Sequence, residues 1–224
     1  MMMNTIEENQ IDKLLDDIAS IKGVIADNKP LIRQMLLPIH FRIITLLAGI
    51  SIIGLSALYY FLLDQYGSYD LIPSSMRKIS LGLVVFAYLT VVVLKRVLWI
   101  KSLQKIDSSY TFGKLLKSIY SYQLLHIWTP LMIGTVLLSF YFYYIEQPRF
   151  IVTAVAFGLG LVYNSIGSLT RITQYMIVGY WMIVSSVLPL LFVDVSALIF
   201  LALSLGCPML IFVLISGTSK QEQE

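Results

Sequence analysis

The chain has 224 residues, of which 58% are hydrophobic and only 13% are charged, and its mean hydropathy is +0.80. Soluble domains carry about a quarter charged residues, so this composition excludes an ordinary soluble domain and indicates an integral membrane protein. The net charge of +3 does not indicate nucleic-acid binding, because the basic residues cluster beside apolar runs, as the positive-inside rule describes.

The first 38 residues form a hydrophilic, acidic segment whose start does not fit a signal peptide. Apolar residues in this segment repeat at the alternating three- and four-residue spacing of a coiled-coil seam, with Ile at every a position. This assembly seam consists of Ile11, Leu14, Ile18, Ile21 and Ile25. Pro30 ends the pattern. A seam of about two heptads must pack on something else to be stable, which leaves three alternatives: its own domain or membrane surface, a sister chain, or another protein.

Six apolar runs follow, and a hydrocarbon core is about 30 Å thick. The second run is short for such a core and reaches residue 98 if Lys95 and Arg96 extend their charged ends to the interface. The six runs predict an all-α membrane domain over residues 39–219, followed by a polar cytosolic tail over 220–224. The predicted spans are about 43–63, 79–98, 127–145, 150–169, 172–193 and 195–219. Aromatic residues at the ends of the first and third spans fit the interfacial belts of membrane helices.

A long basic loop joins the second and third spans, and we expect these two spans to run antiparallel on either side of it. Within the loop, Asp107 can cap a helix, and apolar residues over 110–120 recur at helical spacing. The pattern predicts an amphipathic cytosolic helix. The basic residues of this region form a candidate cytosolic docking surface, namely Lys95, Arg96, Lys101, Lys105, Lys114 and Lys117.

The charge distribution predicts the orientation of the spans. With both termini inside, only Arg77, Lys78 and Arg149 of the 16 basic residues lie outside, and the opposite orientation inverts this strong asymmetry. The positive-inside rule therefore predicts cytosolic N- and C-termini, and we expect the membrane to be the bacterial inner membrane.

Small and polar residues align on one face of the fourth span. Their spacing of four, four, three and four residues places one stripe along the helix, made of Ala156, Gly160, Asn164, Gly167 and Arg171. Small residues let helices approach closely in lipid, so the stripe indicates a tight helix contact. The functional alternative is a narrow path lined by small and polar groups that ends at Asn164 and Arg171.

Residue patterns typical of enzymes are missing from the sequence. His40 and His126 lie at inner helix entries without a nearby carboxylate or thiol, which makes a poor metal site. No metalloprotease, serine-hydrolase or phosphate-loop motif occurs. No Asp or Glu lies inside a predicted span, which disfavours proton- or cation-coupled carriers. We therefore expect no catalytic residue, no cofactor and no metal, and do not expect an enzyme.

Two hypotheses for function remain. The first is a self-assembling membrane scaffold or regulator that docks a cytosolic partner. Residues 1–38 carry a net charge of −2 and residues 95–126 a net charge of +5, so the basic loop suits an acidic partner, its own N-terminal segment or anionic lipid. The second is a channel or the permease subunit of a transport complex, which is argued from the number and arrangement of spans alone.

Overall fold

The computed structural model describes residues 38–104, 111, 113 and 123–218, and all regular structure within them is helical. Short 3-10 turns occupy Tyr69–Leu71 and Pro148–Phe150. The α-helices are α1 Pro38–Tyr66, α2 Ser74–Gln104, α3 Gln123–Tyr144, α4 Ile151–Thr170, α5 Thr173–Ser185, α6 Leu188–Leu191, α7 Ala197–Leu201 and α8 Cys207–Thr218.

Six helical segments among the described residues are long and apolar enough to cross a membrane. Helices α1 to α4 each supply one, α5 and α6 together supply the fifth, and α7, a π-helical turn and α8 supply the sixth. The segments are Phe41–Tyr66, Ser74–Leu98, His126–Tyr144, Pro148–Thr170, Thr173–Leu191 and Ala197–Ser216. The prediction of an all-helical chain with six apolar spans is confirmed for this part of the protein, whereas the N-in/C-in orientation stays a prediction.

The spans pack in an order that differs from their order in the sequence. Helix α2 packs on α1, α1 on the sixth span, the sixth span on α5, α5 on α4, and α4 on α3. The second and third spans therefore take their main contacts from different partners and do not form a packed pair. The long connection between them allows this separation.

Buried side chains concentrate in the fourth, fifth and sixth spans. Val178 and Met182 on α5 have no exposed surface. Tyr175 on α5 lies between Tyr163 of α4 and Phe212 of α8, with ring centroids 5.7 Å and 5.1 Å away. By contrast, α3 has no buried side chain among those described, and α2 has only Ser80. The domain thus has a packed interior and two peripheral helices.

Candidate functional site

The stripe predicted on α4 lies mainly in the contact with α5. Ala156 is fully buried, and a methyl group at Gly160 would lie 2.9 Å from the carbonyl oxygen of Gly179. A methyl group at Gly179 would in turn lie 2.8 Å from the Gly160 carbonyl oxygen and from the backbone nitrogen of Asn164. The two backbones are therefore in direct contact, which only glycine permits.

At the C-terminal end of the stripe, one residue is packed and the next is exposed. Gly167 lies against Met176 of α5, whereas Arg171 is exposed and ends α4 in the left-handed conformation, with φ of 57°. The amide of Ile172 donates to the Gly167 carbonyl at 3.2 Å. A basic residue suits the negative end of a helix dipole, so Arg171 caps α4. The path along the stripe stays a prediction.

The sixth span is interrupted by a π-helical turn over Ala202–Gly206. Pro208 has no amide hydrogen to donate to the preceding turn, and a π-helical turn changes which carbonyls are paired. The indole Nε1 of Trp181 on α5 donates to the Leu203 carbonyl at 3.0 Å. A side chain of the fifth span thus satisfies a backbone group inside the irregular turn.

Helix α1 crosses the sixth span at this turn. A methyl group at Gly49 would lie 3.2 Å from the Gly206 carbonyl oxygen. Towards the other end of α1, a groove of about 240 Å³ runs between Ser56 and Phe61 on α1 and the residues from Leu198 to Ala202. This groove is lined mostly by apolar side chains and faces outward beside Phe61, which is 68% exposed.

Two buried hydroxyls near this crossing lack hydrogen-bond partners among the described residues, those of Ser56 and Ser204. Several other hydroxyls in the described membrane helices donate to a carbonyl of the preceding turn. Examples are Thr135 to Leu131 at 2.7 Å and Ser165 to Leu161 at 2.8 Å. Buried polar groups without hydrogen-bond partners cost stability. The hydroxyls of these two serines are such groups within the described residues.

The turn between the third and fourth spans is held against the turn that precedes the sixth. The Nη1 atom of Arg149 donates to the Val193 carbonyl at 3.1 Å, and its guanidinium lies 4.8 Å above the centre of the Phe150 ring. The Phe142 ring of α3 also packs against Phe150, with the two ring centroids 5.6 Å apart. The two turns therefore lie at the same end of the helices.

A second concave surface lies at the end of α3, and we call it the outer aromatic cavity because the predicted orientation places this end outside. It has a volume of about 520 Å³ and is lined by Phe140, Tyr143, Tyr144, Glu146 and Pro148. Glu146 follows the helix with φ of 59°. The three rings are exposed, so the cavity combines open aromatic walls with one carboxylate.

The candidate docking surface is described only at the end of α2. Lys95, Arg96 and Lys101 are exposed there. The remaining predicted residues, Lys105, Lys114 and Lys117, lie outside the described residues, as does most of the amphipathic helix predicted over 110–120. The assembly seam of Ile11, Leu14, Ile18, Ile21 and Ile25 and the tail 220–224 also lie outside them.

Within the described residues, no group of three or more His, Cys, Asp or Glu side chains could hold a metal ion. His126 is exposed at the start of the third span. Sequence reasoning missed the π-helical turn, the unsatisfied serines and the outer aromatic cavity. The Gly206-Cys207-Pro208 sequence is the signal that an irregular turn lies here, whereas nothing in the sequence around Ser56 sets it apart from other serines in apolar runs.

No protein-family model, curated protein or solved structure matches this chain.

Proposed function

We propose that this chain is a multi-pass protein of a bacterial cytoplasmic membrane that assembles with copies of itself and docks a cytosolic protein partner. Both termini and the basic loop face the cytosol. The partner presents an acidic surface to the basic end of α2, and the protein acts as a scaffold or regulator without chemistry of its own.

The observation that carries the proposal is the continuation of α2 past its apolar part. The helix runs without a break from Ser74 to Gln104, but its membrane-spanning segment ends at Leu98. At 1.5 Å per residue the 31-residue helix is about 46 Å long, against a hydrocarbon core of about 30 Å. This length supports a position of the exposed Lys101 beyond the hydrocarbon core, on the same continuous helix.

The faces of the peripheral helices that no other described helix covers are open to a second copy of the chain. Large apolar side chains along α2 remain exposed, including Phe86 at 70% and Tyr88 at 68%. Lipid covers such faces in a monomer, and a second copy covers them in an assembly. The seam of Ile11, Ile18 and Ile25 offers a further contact between copies outside the membrane.

The docking proposal is tested by photo-crosslinking in intact cells from a photoreactive residue at position 101, with position 78 at the opposite end of α2 as the matched control. We expect a protein adduct from position 101 that is several-fold weaker in an Arg96→Glu background, and no such adduct from position 78. Native mass measurement of the same preparation reports the number of copies. Equal adducts from both positions contradict the proposal.

The second candidate function is a channel or permease subunit, and the interrupted sixth span favours it. Broken helices with unsatisfied polar groups line solute paths in many transporters. Here the π-helical turn Ala202–Gly206 itself carries the buried hydroxyl of Ser204. Solute or ion flux through liposomes that contain the purified chain separates this candidate from the first.

A further inference from the structure

The proposed function gives no role to the residues that line the outer aromatic cavity at the end of α3. Three exposed aromatic rings and one carboxylate line a volume of about 520 Å³. We propose that this cavity binds the ammonium headgroup of a zwitterionic membrane lipid. The ammonium meets the Glu146 carboxylate and the ring faces, and the acyl chains lie along α3.

The charge in the cavity selects a cation. Aromatic ring faces attract ammonium groups, and cages of such rings bind quaternary ammonium. Arg149 is the nearest basic residue in sequence, but its guanidinium is directed to the Val193 carbonyl and the Phe150 ring. Glu146 therefore has no ion pair within the described residues, whereas Asp70 on another turn lies 3.9 Å from Arg77.

Glu146 occupies a position where its side chain is costly for the fold. The amides of Glu146 and Gln147 donate to the carbonyls of Tyr143 and Phe142, at 3.1 Å and 2.9 Å, which is the Schellman arrangement that usually has glycine at the left-handed position. Glu146 has φ of 59° instead. An acidic side chain also has the wrong sign for a helix C-terminus. Strain that the fold does not need points to a role in binding.

The position of the cavity favours a lipid over a soluble ammonium compound. The cavity lies at the end of the apolar segment His126–Tyr144, the level at which aromatic belts meet lipid headgroups. Below it, Ile133 and Leu137 are 54% and 63% exposed, on the same face of α3 as Phe140 and Tyr144. A lipid therefore contacts both the charged end and the apolar face, which a soluble ion cannot do.

The test uses the full chain in a membrane mimetic with lipids of identical acyl chains. Native mass measurement counts the lipids retained from phosphatidylethanolamine, phosphatidylcholine and phosphatidylglycerol, the last of which has no ammonium group. We expect the two ammonium lipids to be retained over phosphatidylglycerol. The Glu146→Gln variant should lose this preference by about three- to tenfold, which is the scale of a partly exposed ion pair with cation–π contacts.

Two further variants separate binding from folding. Glu146→Gly removes the carboxylate together with its strain, so we expect a higher thermal midpoint and the same loss of lipid preference. Tyr141→Leu changes a neighbouring exposed ring that does not line the cavity, and the preference should remain. Equal retention of all three lipids by the unchanged protein overturns the proposal, as does a preference that survives in both Glu146 variants. Displacement of the lipids by an equal concentration of soluble choline assigns the cavity to soluble ammonium and overturns the lipid.

Discussion

Helices α4 and α5 have much the same apolar character as α2 and α3, yet α4 and α5 pack closely against each other and α2 and α3 do not. Apolar side chains do not drive helices together in lipid, because lipid tails are equally apolar. The difference lies in where the glycines stand. Gly160 and Gly179 bring two backbones into contact, whereas no other part of the described chain lies within 4 Å of a side chain placed at Gly82 or Gly134.

The interior and peripheral helices of this membrane domain differ in whether packing explains their unusual residues. The interior helices use their small residues to contact one another, so the α4 stripe has a packing role that needs no ligand. The peripheral helices instead carry groups that packing does not explain: the basic end of α2 and the outer aromatic cavity of α3. Functional surfaces of the described residues are therefore expected mainly at the periphery.

The largest expected effect is that of a bulky side chain at an interior glycine. Gly179→Leu places a side chain against backbone atoms of α4 that cannot move aside, since its Cβ alone would lie 2.8 Å from them. We expect a loss of about 3 kcal/mol in unfolding free energy, the upper part of the usual range for overpacking. The measurement is the thermal midpoint of the purified protein in detergent.

Gly82→Leu is the matched control for this variant, because it adds the same side chain to an open position on α2. We expect an unchanged midpoint. If native mass measurement shows that Gly82→Leu also lowers the number of copies, the open face of α2 is a contact between copies. Equal losses of stability in both variants contradict the division into interior and periphery.

The sequence predicts the number of spans because apolar length is a property of each run alone. It also predicts the α4 stripe, since Ala156, Gly160 and Gly167 repeat at helical spacing. It does not predict which helix lies opposite the stripe, because Gly179 stands alone on α5 without a repeat of small residues. Gly206-Cys207-Pro208 marks the π-helical turn locally, but the hydrogen bond that Trp181 donates to Leu203 from another helix is not predictable, because contacts between distant residues leave no local pattern.

A smaller loss of stability is expected when an indole group is removed from an interior helix, and no loss when one is removed from a peripheral helix. Trp181→Phe removes the donor to the Leu203 carbonyl and should cost about 1 kcal/mol, as for other hydrogen bonds within membrane domains. Trp128→Phe on α3 removes an indole N–H that is buried without a partner among the described residues, so we expect no loss. Both are read as shifts in thermal midpoint, and a larger shift for Trp128→Phe would show that this indole has a partner after all.

The smallest expected effect concerns two serine hydroxyls. Here we expect the loss of an interior hydroxyl to cost less stability than the loss of a peripheral one. Ser139 on α3 donates to the Thr135 carbonyl at 2.8 Å, so Ser139→Ala should cost about 0.5 kcal/mol. Ser204 is fully buried without a partner in the described structure, and Ser204→Ala should be neutral or stabilise by about 0.5 kcal/mol, because an unsatisfied hydroxyl is removed from an apolar site. Thermal midpoints of the two variants measure the difference. If Ser204→Ala instead destabilises the protein and changes flux through liposomes, its hydroxyl binds water or a solute beside the π-helical turn, and the channel or permease candidate gains over the scaffold.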